Sequence, residues 1–333
     1  ISLVGLFTSL LILSLPYYHY EVFENQNIFG LIHSVFFVVV GCMLPLYFTS
    51  TSTTKYYFLS IGCSALLIGF ASEMRNENSV ILLSLLILIL GIPQRSVLSK
   101  VAGIALVFFF YSGLKSGIHA YFDHQFKTSY ALVQQKGGHP YIGGRIKGHQ
   151  IWHNVFCGLG DYDTQYGHQW DDRTAYQFAI PSLSKQLGYQ VPYSGKYHTD
   201  LYYDSAKLYY IKFDEIPEYE TIMREAVVSQ IKENPSWYVT ILLQRVGAIL
   251  KTTLPFPNMG WLIFPLLFLL IRLRKGTWLI LLTASLPLTI ISLVVYSGRG
   301  ATYNSLFPMM SLIMLCVLLF EKMSPQKSDE VNA

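Results

Sequence analysis

The stretch TWLILLTASLPLTIISLVVY, Thr277–Tyr296, contains no charged residue. It is as long as the roughly 20 apolar residues that cross a bilayer core. Further apolar runs share this character: Ile1–Leu15, Phe29–Phe48, Tyr56–Ser72, Ser79–Ile92, Val101–Ile118, Met259–Ile271 and Tyr303–Phe320. The pattern predicts an all-α polytopic membrane protein with about eight transmembrane helices.

The charged residues are concentrated in one block between these runs. Of the 333 residues, 52% are apolar and 13% are charged, about half the charged share of a soluble domain. Ser116–Asn234 carries 24 of the chain's 44 charged residues, 11 basic and 13 acidic. This distribution excludes a single soluble domain and a disordered chain. Because the net charge of +4 arises outside the block, we expect no nucleic-acid partner.

Basic residues between the runs predict the orientation of the chain. The positive-inside rule places the turn with Arg272, Arg274 and Lys275 in the cytoplasm, together with the turn at Arg95 and Lys100. The charged block then lies on the periplasmic or extracellular side of a bacterial inner (plasma) membrane, before the last three spans. Ile1 is not Met and lies inside an apolar run, so we expect the N-terminal part to be truncated.

Five segments follow from this topology. They are an N-terminal bundle of about five helices (1–115), an outer-face domain (116–234), an interfacial amphipathic helix (235–257), C-terminal transmembrane helices (258–320) and a cytoplasmic tail (321–333).

The segment Pro235–Leu254 is apolar enough to be mistaken for a span. Arg245 and Lys251 interrupt it, and a spanning helix here would put the charged block or the basic turn on the wrong side. Asn234 followed by Pro235 is typical of a helix N-cap with proline at the first helical position. The pattern favours an amphipathic helix lying in the outer interface, in contact with the lipid bilayer.

The charged block is rich in histidine and tyrosine. Residues 115–234 hold seven of the chain's nine histidines and 14 of its 24 tyrosines, and the densest polar stretch is GHQIWHNVFCGLGDYDTQYGHQWDDRTAY, Gly148–Tyr176. Few runs alternate, so mostly helices and ordered loops are expected, with one helix over Glu218–Lys232. Cys157 is the only cysteine in the block, which excludes an internal disulfide and favours a small buried side chain.

His149 and His153 are four residues apart, so on a helix they share a face and could bind a metal. Carboxylates at Asp161, Asp163, Asp171 and Asp172 could complete a site for a divalent cation. The alternative is that both histidines donate hydrogen bonds to loop carbonyls, and no HExxH glutamate accompanies them. The sequence therefore assigns no metal site, and a divalent cation stays a candidate cofactor.

Asp171, Asp172 and Arg173 have two interpretations. The two carboxylates could include a general base and the guanidinium could hold a phosphate. Alternatively, Asp171 caps a helix that continues through Thr174–Ile180, with Asp172 favouring its dipole, and this interpretation is preferred.

Aromatic and basic side chains are candidates for substrate binding. Trp152 and Trp170 could stack on sugar rings or sit at a membrane interface. Arg245 and Arg299 could hold the phosphate of a lipid-linked donor or anchor the chain to head groups.

Two groups of motifs carry a resemblance to a known family. The chain reads GHQIWHN over Gly148–Asn154, then GLG at Gly158–Gly160 and GHQWDD over Gly167–Asp172. These motifs, with several spans, a large outer loop and an interfacial helix beginning Asn-Pro, resemble the bacterial GT-C membrane glycosyltransferases related to protein-mannosyltransferases and aminoarabinose transferases.

The resemblance implies transfer of a sugar from a polyprenyl-phosphate donor to a glycan, lipid or protein acceptor in the cell envelope. It also implies a catalytic carboxylate in the first outer loop. In the visible loop, Tyr17–Ile28, the only acids are Glu21 and Glu24, so the base is one of these, lies upstream of Ile1, or is Asp171 or Asp172.

Two other functions stay open. An O-antigen polymerase or ligase would depend on loop residues such as Arg145, His149 and Arg173. A non-enzymatic envelope scaffold would use the outer domain to bind a partner protein. A transporter is disfavoured, because His33 is the only ionisable residue clearly inside a predicted span.

Overall fold

The computed structural model describes residues 53–74, 76–138, 151–188, 190, 191, 193, 200–204, 207–211, 217–251 and 258–295, with short helical pieces at 307–308, 311–312, 314–316 and 318–319. Helix predominates among these residues. The chain divides into two units, which are described separately below. The apolar unit comprises Ile1–Lys115, Gly247–Ile290 and Ala301–Ala333, and the polar unit comprises Ser116–Val246 and Ile291–Gly300.

Three helices in the described part are long and apolar enough to cross a membrane: Thr54–Glu73, Val97–Gln135 and Trp278–Val295. They contain the spans predicted at Tyr56–Ser72, Val101–Ile118 and most of Thr277–Tyr296. Two further predicted spans correspond to shorter apolar helices, Asn78–Gly91 and Gly260–Arg272. Ile1–Leu15 and Phe29–Phe48 lie outside the described residues, and Tyr303–Phe320 is described only in pieces. Three of the eight predicted spans therefore correspond to helices that are long and apolar enough to cross a membrane, and the count of eight stays a prediction.

The helices of the apolar unit follow the apolar runs closely. They are α1 (Thr54–Met74), α2 (Ile81–Gly91), the first part of α3 (Val97–Gln135), α8 (Ile263–Arg272) and α9 (Gly276–Ser285). Among them, α2 packs against both α1 and α9, and α8 packs against α9. Short 3₁₀ helices at Asn76–Val80 and Met259–Leu262 precede α2 and α8.

Helix α3 joins the span predicted at Val101–Ile118 to the helix that the sequence predicts to leave the membrane through Tyr130–Gln135. It runs unbroken for 39 residues, about 58 Å at 1.5 Å per residue, almost twice the thickness of a hydrocarbon core. No proline interrupts it. It ends where Gly137 takes a left-handed conformation (φ 74°), while the Gly138 N–H donates to the Val133 carbonyl over 2.9 Å. This is a Schellman motif, in which glycine ends a helix at no steric cost.

The apolar stretch Thr277–Tyr296 is not one regular helix. After α9 it continues as a 3₁₀ helix at Leu286–Thr289 and a π-helical turn at Ile291–Val295. Pro287 lies in the second position of the 3₁₀ segment. Because proline lacks an N–H and clashes with the preceding turn, it prevents regular α-helix through this point.

The polar unit is built on four further helices: α4 (Ile151–Leu159), α5 (Asp172–Leu187), α6 (Pro217–Glu233) and α7 (Pro235–Lys251). Helix α4 packs against α5, α6 and the π-helical turn, and α5 also packs against α6. Buried residues repeat every four positions on the facing helices, as one apolar stripe requires. They are Ala175, Ala179 and Leu183 on α5 and Tyr219, Met223 and Val227 on α6.

Both predicted N-caps of the polar unit are confirmed. The Asp171 side chain accepts the Arg173 N–H at the start of α5, and the Asn234 Oδ1 accepts the Trp237 N–H at 3.1 Å at the start of α7. The helix predicted over Glu218–Lys232 is α6. Whether α7 lies in an interface stays a prediction.

One hairpin departs from the expectation of helices and loops. Strands β1 (Asp200–Asp204) and β2 (Lys207–Ile211) pair antiparallel, with Tyr202 opposite Tyr209. Each strand contains a Leu-Tyr-Tyr run.

Candidate functional site

A buried carboxylate from α6 caps the N-terminus of α4. The Glu220 Oε2 accepts the Trp152 N–H and its Oε1 accepts the His153 N–H, both at 3.0 Å. Only 8% of Glu220 is exposed. The first N–H groups of a helix have no partner within it and carry partial positive charge, so a carboxylate here stabilises the helix. Glu220 therefore fixes the position of α4, and of His153, relative to α6.

The His153 imidazole lies in the interior of the polar unit with both ring nitrogens engaged. Its Nδ1 is 2.6 Å from the Tyr219 hydroxyl and its Nε2 is 3.1 Å from the Asp172 Oδ1. The ring stacks on Tyr176, with 5.4 Å between centroids, and 1% of the residue is exposed. His153 is thus held by three helices, α4, α5 and α6.

Cys157 completes a cluster around this imidazole. It lies one helical turn after His153, its Sγ is 3.8 Å from the His153 Nε2, and it is 3.9 Å from the Asp171 carbonyl oxygen. One ligand atom from each of His153, Cys157 and Asp172 lies within 4.8 Å of the others. The i, i+4 partner of His153 that the structure describes is therefore Cys157, while His149 lies outside the described residues.

The cluster does not have the properties of an activated thiol nucleophile. Burial raises the pKa of Cys157 far above its usual range, and the charges of Asp172 and Asp171 raise it further. A nucleophilic cysteine needs the opposite effect, a nearby cation or helix N-terminus that favours the thiolate. In addition, Cys157 and Asp172 approach the same nitrogen of His153, so the imidazole cannot relay a proton between them.

The two adjacent carboxylates have separate tasks. Asp171 accepts the backbone N–H of Arg173 at 3.0 Å and pairs with its guanidinium, with 2.8 Å between Oδ2 and Nη2. Hydrogen bonding by the Arg173 side chain holds the pKa of Asp171 below its usual range. Asp172 turns instead to His153, and 32% of its side chain remains exposed. The helix-cap interpretation is thus confirmed for Asp171, whereas Asp172 is the carboxylate of the cluster.

Arg245 has a different environment from the one that the sequence suggested. It is fully buried, and its guanidinium donates to the carbonyl oxygens of Gly158, Leu293 and Val295 at 2.7, 2.8 and 3.1 Å. Leu293 and Val295 belong to the π-helical turn. Arg245 therefore ties α7 to the end of α4 and to that turn, and presents no exposed surface to a lipid phosphate.

The loop between α4 and α5 is organised by Asp163. Its carboxylate accepts N–H groups from Gln165, Tyr166 and His168, the shortest at 2.7 Å, and the Trp237 indole N–H at 3.0 Å. Burial would raise the pKa of Asp163, but these backbone hydrogen bonds and the charge of His168 outweigh it and lower the pKa. The sequence made Asp163 a possible metal ligand. In the structure its carboxylate is instead held by the loop and is not part of the cluster of His153, Cys157 and Asp172.

The structure brings together only some of the predicted residues. His153 on α4 meets Asp172 at the start of α5, Trp152 is its neighbour on α4, Asp171 and Arg173 flank Asp172, and Trp170 is half-buried just before them. Arg245 is described but is bound elsewhere, to Gly158, Leu293 and Val295. The remaining candidates lie outside the described residues: Glu21, Glu24, Arg145, His149 and Arg299.

Three members of the site were missed from sequence. Cys157 could have been found, since it follows His153 by four residues and on a helix would share its face. Tyr219 and Glu220 could not, because they lie more than 60 positions away and reach the site only through the packing of α6.

No protein family, curated protein or solved structure matches this chain. The GT-C resemblance therefore rests on the motifs and their order alone.

Proposed function

We propose that this chain is an integral membrane glycosyltransferase of the GT-C type. It would transfer a sugar from a polyprenyl-phosphate donor at the outer face of a bacterial inner membrane, during assembly or modification of a cell-envelope glycan. One observation carries the proposal: the partly exposed Asp172 carboxylate is paired with the buried His153 imidazole, 3.1 Å away.

This arrangement suits activation of an acceptor hydroxyl. The acceptor oxygen forms a bond to the anomeric carbon of the donor, and its proton passes to the Asp172 carboxylate. The bond between that carbon and the phosphate oxygen breaks, and its electron pair leaves with the polyprenyl phosphate. A carboxylate in contact with both solvent and a buried imidazole can accept that proton, an effect worth about 10²- to 10⁴-fold in rate.

The architecture supports a lipid-linked donor. Three described helices are long and apolar enough to span a membrane. One of them is α3, whose residues from Ser116 onward belong to the polar unit. The basic turns at Arg95 and at Arg272 favour an outer position for that unit. Arg173, with 48% of its side chain exposed beside Asp172, is the described arginine that we assign to the donor phosphate.

The test replaces Asp172 in the full-length protein. A strain lacking the gene is complemented with wild type or Asp172→Asn, and its envelope glycans and lipid-linked sugars are measured by mass spectrometry. We expect Asp172→Asn to lower the modified glycan at least about 100-fold, with accumulation of the donor. Glu225→Gln, on an exposed carboxylate of α6, is the matched control and should restore the glycan.

Two results would overturn the proposal. A deletion strain with unchanged glycans and donors would exclude glycosyl transfer. Full complementation by Asp172→Asn, at wild-type protein levels, would exclude Asp172 as the acceptor-activating carboxylate.

A further inference from the structure

We infer that His153, Cys157 and Asp172 form a binding site for a zinc-class divalent transition metal. The inference concerns the same site as the proposed glycosyl transfer and rests on that function only for the role that the ion would play. The described residues carry it through the spacing of the ligand atoms, the support around them and the chemistry of the donor set.

Two of the three separations between the ligand atoms are close to the edges of a tetrahedral site. Zinc bonds of about 2.3 Å to sulfur and about 2.0–2.1 Å to nitrogen or oxygen place sulfur and nitrogen about 3.6 Å apart, and nitrogen and oxygen about 3.3 Å apart. The observed separations are 3.8 Å from the Cys157 Sγ to the His153 Nε2 and 3.1 Å from that nitrogen to the Asp172 Oδ1. The third separation, from the Cys157 Sγ to the Asp172 carboxylate, is within 4.8 Å, and the two side chains would draw together as an ion binds.

The surroundings of His153 supply the support that metal ligands usually have. Metal-binding histidines direct their second ring nitrogen to a hydrogen-bond partner, which fixes the tautomer and the ring. The Tyr219 hydroxyl contacts Nδ1 at 2.6 Å, so an N–H at Nδ1 leaves the Nε2 lone pair directed at Cys157 and Asp172. The backbone of His153 is fixed in turn by Glu220.

A purely structural role accounts less well for the position of Cys157. A buried cysteine that only fills space would contact apolar atoms. The Cys157 sulfur instead lies against an imidazole nitrogen and the Asp171 carbonyl oxygen, with the Asp172 carboxylate in the same cluster. Three electron-pair donors that converge in this way are typical of a cation site.

The donor set also selects the class of ion. A thiolate with an imidazole favours zinc and similar borderline-soft metals over Mg²⁺ or Ca²⁺, which prefer oxygen. Three protein ligands leave a fourth position for water or an acceptor hydroxyl, as in catalytic zinc sites. Bound there, the ion would lower the pKa of that hydroxyl, while the second oxygen of Asp172 receives its proton.

The test uses the full-length protein, purified in detergent through a tag without histidine and then treated with a chelator. One equivalent of Co²⁺ per chain should bind and give a near-ultraviolet sulfur-to-cobalt band, which Zn²⁺ should abolish by displacement. Cys157→Ser should lose the band, and Asp172→Asn should weaken Co²⁺ binding at least about tenfold. Cys63→Ser, at an exposed cysteine of α1, should leave both unchanged.

Wild-type protein without stoichiometric Co²⁺ binding would overturn the inference, whether or not the variants fold. A band that persists in Cys157→Ser would overturn it as well. These readouts are independent of glycosyl transfer. Co²⁺ binding without any change of glycans on gene deletion would therefore leave the metal site standing and remove only the proposed function. Glycosyl transfer by a protein that binds no metal would leave the proposed function standing and remove the metal site.

Discussion

At the scale of single residues, Asp163 shows how one carboxylate can organise a loop. Its two oxygens accept backbone N–H groups from Gln165, Tyr166 and His168 and the Trp237 indole. The ionised form is favoured, so its pKa is lowered in the folded state. Asp163 thus stabilises the fold above the unfolded pKa of about 3.9, and this stabilisation is lost as the pH falls through the lower folded pKa.

Asp163→Asn should therefore destabilise the protein in a pH-dependent way. Because the side chain is partly solvated, we expect a loss of about 1 kcal/mol at neutral pH. The difference from wild type should be constant above about pH 5 and shrink below about pH 4. The stability difference is measured by thermal unfolding across this pH range, monitored by circular dichroism in detergent. A difference that is the same at pH 3 and pH 7 would contradict the assigned role of the carboxylate.

At the scale of helices and loops, Arg245 decides how α7 meets its neighbours. Its guanidinium is buried and donates to carbonyls at Gly158, Leu293 and Val295. Each buried carbonyl that loses its donor costs about 1–3 kcal/mol. The total is smaller than the sum, because neighbouring groups shift to satisfy part of the lost hydrogen bonding. Arg245→Met, which keeps the apolar stem, should lower the free energy of unfolding by about 3–5 kcal/mol.

The control is Arg224→Met, at an exposed position on α6, which should change stability by less than about 0.5 kcal/mol. The two interpretations of Arg245 then separate. If it held a donor phosphate, Arg245→Met would fold normally and lose only glycan transfer. A melting temperature equal to wild type would therefore refute the structural role and revive the assignment made from sequence.

The helices illustrate what the sequence could and could not provide. Asn234-Pro235 and Asp171-Asp172 predicted both caps because capping depends on neighbours in the chain. Helix α3 runs through the predicted span and the helix predicted to leave the membrane through Tyr130–Gln135, and no residue near Ser116 breaks it. In the site, Asp172 and His153 were candidates from local motifs. Their pairing, and the contacts with Tyr219 and Glu220, depend on how α4, α5 and α6 pack, which no local pattern records.

At the scale of the whole molecule, topology is the property on which the proposed function depends. Helix α3 begins near Arg95 and Lys100 and ends inside the polar unit. If it crosses the membrane once, its two ends face opposite compartments. The positive-inside rule assigns the Arg95 end to the cytoplasm and the polar unit to the outside, where a polyprenyl-linked donor would be presented.

A single cysteine just before α3 and another on α5 of the polar unit test this assignment directly. Gln94→Cys and Ser182→Cys are both at exposed positions, and each is introduced where Cys42, Cys63 and Cys316 are alanine, with the buried Cys157 kept. In intact spheroplasts, a membrane-impermeant maleimide should label Ser182→Cys, whereas Gln94→Cys should react only after permeabilisation. The parent without an introduced cysteine should stay unlabelled. Labelling of both from outside would mean that α3 does not cross, and the reverse pattern would place the Asp172 site in the cytoplasm, away from the proposed donor.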